Sequence, residues 1–143
     1  FGPRGCGKTT LIEGVFPARD TLFIDLLDSA LYDEILSDAS RFSALIDAPE
    51  NIKRRVVVDE VQKLPFILDV VHSQIQKRKR QFILTGSSSR RLKQQGSNLL
   101  AGRAWVYQLF PFSAFELKNQ FILQRALERG GMPEAYLAES DLA

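Results

Sequence analysis

The sequence predicts an α/β fold, a parallel β-sheet flanked by helices, on three observations. A glycine-rich loop, "GPRGCGKTT" (2–10), opens straight into a helical stretch. Short β-branched runs then alternate with helix-period stripes along the chain. Polar clusters close the apolar runs, at the C-terminal strand ends where an open parallel sheet gathers its ligand.

The elements follow in order. "TTLIEGVF" sets Leu11, Ile12, Val15 and Phe16 on one helical face, and Pro17 stops it. "TLFIDLL" (21–27) is a short apolar strand. "DSALYDEIL" and "SRFSALI" carry helical spacing, with Leu31 and Ile35, then Phe42, Leu45 and Ile46. "RRVVVDE" (54–60) is an unbroken β-branched run, as a strand covered on both faces requires. Leu64, Leu68, Val71 and Ile75 give a further helical stripe, with Pro65 in its first turn. "QFILTGSSS" (81–89) is the next strand, "RRLKQQGSNLLAGR" a polar helix and loop, and "AWVYQLFPF" (104–112) a last strand closed by Pro111. From Ser113 the pattern is helical. The expected division is a nucleotide-binding core over 1–112 and, over 113–143, the start of a helical lid or a linker.

Composition narrows the function classes. The chain has 143 residues, 45% of them hydrophobic, enough for one globular core. A net charge of +2 does not by itself argue for nucleic acid. No run approaches the ~20 apolar residues of a membrane span, and no signal peptide is visible. The single cysteine, Cys6, excludes an internal disulfide and fits a reducing cytoplasm. One His and one Cys cannot build a zinc site, so the expected metal is the Mg²⁺ that accompanies a nucleotide.

Gly2, Gly7, Lys8 and Thr9 fit the phosphate-binding pattern G-x-x-x-x-G-K-[ST], with Pro3, Arg4, Gly5 and Cys6 between. The glycines let successive N–H groups turn toward phosphate, and the helix N-terminus from Lys8 through Thr10 adds its positive end. Lys8 is expected at the β- and γ-phosphates, and the Thr9 hydroxyl on Mg²⁺. In "VVVDEVQ", Asp59 is expected to hold Mg²⁺ through a water, and Glu60 to orient or deprotonate the attacking water. Two acids at this place also suit the cap of a following helix. The tip "FILTGSSS" offers Thr85 first and Ser87 second as a hydroxyl between γ-phosphate and water; a serine N-cap is the plainer alternative. Arg90, Arg91 and Arg103 are candidates for the extra cation of phosphoryl transfer, with Arg103 in "AGRAW" ahead.

These stretches, with "FIDLLD", "NLLAGRAWVYQLFPFSAFEL" and "GGMPEAYL", resemble the AAA+ ATPases of a bacterial and archaeal predicted-ATPase family, with a "DEVQ" Walker B and a separate C-terminal domain. The resemblance runs through nearly the whole chain. It implies a P-loop NTPase sheet ordered 5-1-4-3-2, ATP hydrolysis with ATP and Mg²⁺ as cofactors, and a cytoplasmic setting away from membranes. It places Gln62 in the Walker B signature, Arg103 as an arginine finger, and Pro133 near the nucleotide; a lid arginine is not evident. It further implies that Phe1 ends the first strand, most of which is missing here, and that an effector domain follows Ala143. A homo-oligomer, and a protein or nucleic-acid client reached through that domain, are the partners it suggests beyond ATP and ADP. A shikimate-kinase-like small-molecule kinase and a nucleotide-gated switch with little turnover stay open as alternatives. For nucleic acid the best patch is "QKRKR" (76–80), which without interleaved aromatics reads more simply as a solvated turn.

Overall fold

The computed structural model describes residues 1–52, 54–87, 102 and 104–138. Its centre is a three-stranded parallel sheet, β1 (Thr21–Asp25), β2 (Arg55–Asp59) and β3 (Phe82–Leu84), in that spatial order. The register pairs Thr21 with Arg55 through Asp25 with Asp59, and Val56 with Phe82 through Val58 with Leu84. Both connections between the strands are helical. α2 (Ser29–Ser37) and α3 (Ser40–Asp47) link β1 to β2, and α4 (Ile67–Arg78) links β2 to β3, while α1 (Lys8–Val15) precedes them all. This is the α/β arrangement expected of a P-loop NTPase, and β1–β2–β3 corresponds to the 2-3-4 part of the anticipated order.

Alternation along the strands divides the sheet's two faces. Ile24, Val56 and Val58 point into a cluster with Ile35 of α2, Phe42 and Ile46 of α3, and Ile67, Leu68 and Val71 of α4, all nearly or wholly buried. Phe23 and Val57 face the other way, toward Ile12 of α1. Leu11 and Val15 of α1 are more than half exposed, so the apolar stripe of this helix is only partly covered.

Local chemistry sets the boundaries. Asp28 caps α2 by accepting from Ala30 N at 2.9 Å and Leu31 N at 3.3 Å. The helix with the Leu64–Ile75 stripe begins at Ile67 rather than at Pro65, because Val61–Lys63 forms a 3₁₀ turn first. Lys79 ends α4 in the left-handed region, its N–H reaching back to Gln74 and Ile75 carbonyls. In the "QKRKR" run, Arg78 meets Asp47 at 2.5 Å, and Arg80 is buried with Nη1 3.6 Å from the same carboxylate. Burial pushes the Arg80 guanidinium below its usual range, with Asp47 opposing that shift. Two of the run's cations thus serve the fold.

The expected strand over 104–112 is a correction. Residues 104–110 form no regular strand, although Phe1 N donates to Tyr107 O at 2.9 Å and Leu109 N to Phe1 O at 2.7 Å. Two hydrogen bonds to the single residue Phe1 do not make a ladder. On its other side Gly2 N donates to Gly86 O at 3.3 Å, so residues 1–2 lie between β3's tip and 107–109. That is the place of strand 1 in the 5-1-4-3-2 order.

Beyond it come α5 (Ala114–Leu117), α6 (Leu123–Arg129) and α7 (Pro133–Leu137). Tyr136, 1% exposed, ties them together: its hydroxyl accepts from Ile122 N at 2.8 Å and donates to Gln120 O at 3.0 Å. Among the described residues no helix is long and apolar enough to cross a membrane. The stretch "RRLKQQGSNLLAGR" lies outside the described residues apart from Gly102.

Candidate nucleotide site

The loop at 2–10 turns because Gly5 and Gly7 take φ values of 74° and 85°, which residues with a β-carbon avoid. Gly7 is the N-cap of α1 and offers no side chain to it, so the first-turn N–H groups keep their capacity for an anion. Lys8 curls back into the loop, its Nζ donating to Gly2 O at 2.9 Å and Pro3 O at 2.8 Å. Cys6 is buried at 5% exposure, in the filler position its size suits, whereas Arg4 and Thr10 are exposed.

Asp59 stands where β2 ends, and three donors meet its carboxylate. Thr9 Oγ1 donates to Oδ2 at 2.7 Å, Glu60 N to Oδ1 at 2.8 Å, and the Thr85 hydroxyl to Oδ1 as well. The sheet imposes this meeting. Thr85 N donates to Val58 O at 2.9 Å and Val61 N to Thr85 O at 3.0 Å, which extends the β2–β3 ladder one step past the strands. The loop, the β2 acid and the β3 hydroxyl therefore converge, as their places at strand ends predict.

Glu60 follows in the left-handed region, φ 54°, and is 6% exposed. Its Oε2 accepts from Gln62 Nε2 and from Ser87 Oγ, the latter at 3.3 Å. Thr85 and Ser87, the two hydroxyls proposed from the same tip, are thus separated by partner: one reaches Asp59, the other Glu60. Ser88, Ser89, Arg90, Arg91 and Arg103 lie outside the described residues. Near Pro133, the side chain that approaches the loop is that of Met132, whose Cε would lie 3.3 Å from a β-carbon at Gly5.

Sequence reasoning passed over Asp25 and Glu13. Both line a small cleft between α1 and the sheet, with Thr9, Asp59 and Thr85. Asp25 ends β1 directly beside Asp59 in the register, and its Oδ1 accepts from Leu27 N at 2.8 Å. The signal was present: "FIDLL" puts an acid at a strand's C-terminal end, by the rule that singled out Asp59.

A family model described as an AAA domain matches residues 1–118, from the loop through α5. The chain belongs to the AAA domain family. No curated protein matches it at a significant level. Membership makes this a nucleotide-binding module of the ATPase type, and the residues of this AAA domain fit such a ligand. The loop supplies free N–H groups and a lysine for phosphate. Thr9 and Asp59 bring two hard oxygens within 2.7 Å of each other, a donor set suited to Mg²⁺, which keeps few protein ligands and completes its shell with phosphate and water.

Proposed function

We propose that the chain binds ATP with Mg²⁺ and hydrolyses it to ADP and phosphate, driving or gating an effector domain. The observation that carries the reading is the Thr9–Asp59–Thr85 relay at the loop, with Glu60 one residue further on. Lys8 and the N–H groups from Arg4 to Thr10 would hold the phosphates, and Thr9 and Asp59 would hold the ion. When bound, Mg²⁺ neutralises charge on the β- and γ-phosphate oxygens. Glu60, as the acid of the "DEVQ" Walker B, accepts a proton from water. The water oxygen bonds to the γ-phosphorus, the bond to the bridging oxygen breaks, and ADP leaves with that electron pair. Thr85 fixes Asp59 and senses the γ-phosphate, and Arg103 supplies a cation to the developing charge, from the same or a neighbouring subunit.

In this reading residues 1–112 form the core, and 113–143 begin the helical lid or linker, with Pro133 and Met132 on the nucleotide's side. The setting is the cytoplasm, and the client, protein or nucleic acid, is reached through the effector domain.

The test is Glu60→Gln in the full-length protein, with phosphate release and ATP binding measured side by side. Loss of hydrolysis by ~10²–10⁴-fold with binding retained is expected, the range for removal of a general base. Equal hydrolysis by both proteins removes Glu60 from the mechanism. Phosphate passed to a metabolite, with little basal hydrolysis, identifies a kinase instead, and binding without turnover a switch.

A further inference from the structure

We infer that Asp25 is a second carboxylate for the Mg²⁺ of this site, holding the ion through its water shell; the inference rests on the ATP–Mg²⁺ reading above. Asp25 ends β1 and is the register partner of Asp59 at the end of β2, on neighbouring strands about 4.8 Å apart. Partners in a parallel register share a face of the sheet, and both acids line the cleft beside Thr9 of α1. The backbone here is fixed from several sides. Leu26 N donates to Asp59 O at 3.3 Å, which carries the β1–β2 pairing one step past the strands. Leu27 N donates to Asp25 Oδ1 at 2.8 Å. Lys63 Nζ, 4.4 Å from the centre of the Tyr32 ring, donates to Leu26 O at 2.6 Å.

Charge and space set the role. Asp59 is met by two hydroxyls and a backbone N–H, all neutral. No ion pair among the described residues involves Asp25, Asp59 or Glu13. Like charges on adjacent strand ends repel unless a cation joins them. Thr9 and Asp59 alone would offer the ion one negative charge, and Asp25 doubles it. Among the described residues no three His, Cys, Asp or Glu side chains gather closely enough to cage a metal by themselves. Mg²⁺ keeps several waters in such sites, so Asp25 acts on the shell rather than on the ion. The cleft encloses about 90 Å³, room for those waters beside Thr9 and Asp59. Asp25 Oδ1 is taken by Leu27 N, and among the described residues no donor meets Oδ2, which suits that oxygen to accept from water on the ion.

Asp25 is a positioning residue, so its test reads ion and nucleotide binding apart from turnover. ADP is titrated into the full-length wild type, Asp25→Asn, Asp25→Ser and Asp59→Asn, once in chelator and once with Mg²⁺. Mn²⁺ bound in the presence of ADP is measured by electron paramagnetic resonance. Asn and Ser both keep an oxygen for Leu27 N while removing the charge. Mn²⁺ affinity should fall about tenfold in both Asp25 variants, the low end for losing an outer partner of a metal. In chelator the same variants should bind ADP at least as tightly as the wild type, because a negative charge near the phosphates is gone. A damaged β1 turn would instead weaken ADP binding equally with and without the ion, and that result overturns the inference. Unchanged Mn²⁺ affinity in both Asp25 variants, with Asp59→Asn impaired, also overturns it and leaves the ATP–Mg²⁺ reading intact. If one Asp25 variant fails to fold by circular dichroism, the other decides alone. A wild type that binds no Mn²⁺ with ADP, or an Asp59→Asn indistinguishable from it, overturns the reading of the site and the role of Asp25 with it.

Discussion

Asp59 and Thr85, at the ends of neighbouring strands, are joined by a hydrogen bond from the Thr85 hydroxyl to Asp59 Oδ1, while Oδ2 of the same carboxylate takes Thr9. The β3 tip therefore reports on the residue proposed to hold the ion. Thr85→Val keeps the shape and removes the donor. Hydrolysis should fall about 10²-fold, the scale on which one preorganised donor matters, with ATP affinity nearly unchanged. Thr85→Ser should restore most of the rate. A rate for Thr85→Val within a factor of two of the wild type would show that this bond is structural only.

The Lys8 ammonium lies along the loop carbonyls of Gly2 and Pro3. Lys8→Ala should weaken ATP binding about 10–100-fold, the worth of a hydrogen bond to a charged group. Titration calorimetry reads this directly. Unchanged affinity would remove the loop from the nucleotide site.

Arg103 carries the question of assembly. If it acts on a neighbour's nucleotide, activity per subunit rises with protein concentration, and Arg103→Ala abolishes the rise while ATP still binds. Mixing Arg103→Ala with Lys8→Ala subunits should then recover part of the activity, because each supplies what the other lacks. A rate independent of concentration, with no recovery on mixing, would show that Arg103 acts within its own subunit or only structurally.

Asp47 tests the buried end of the basic run. It accepts from Gln74 Nε2 at 3.0 Å and faces both Arg78 and Arg80. Asp47→Ala leaves the Arg80 guanidinium, whose side chain is 4% exposed, without a counter-charge. The loss should be about 2–3 kcal/mol, below the full range for a buried pair because Asp47 itself is partly solvated. Arg78→Ala, at the exposed end, should cost no more than about 1 kcal/mol. Urea unfolding with an unchanged m-value checks both, and equal losses would contradict the distinction.

How much of this was legible in the sequence depends on how local each determinant is. The Val56–Val58 run announces β2, and its strand ends within a residue of the expected point, because β-branched packing on both faces is written in consecutive side chains. β1 ends at Asp25, two residues early, where Leu27 N turns onto the Asp25 carboxylate. The 104–112 strand was misread because pairing partners, not propensity, decide whether an extended stretch becomes a ladder. The meeting of the loop, Asp59 and Thr85 was legible because such groups gather at the C-terminal ends of parallel strands. The contacts of Glu60 with Gln62 and Ser87 were not, because they depend on how closely β3's tip approaches the turn after β2.

The left-handed backbone at Glu60 has a consequence for how that position tolerates change. Conformation favours Gly, Asn and Asp there, and a glutamate holds such a φ at a cost of about 1 kcal/mol. A library randomised at position 60 should therefore split according to what is asked of it. Screening for soluble, folded protein alone should enrich Gly and Asn, whereas screening for ATP turnover should return Glu. The gap between the two surviving populations would show how far the residue's identity is owed to the backbone and how far to its chemistry.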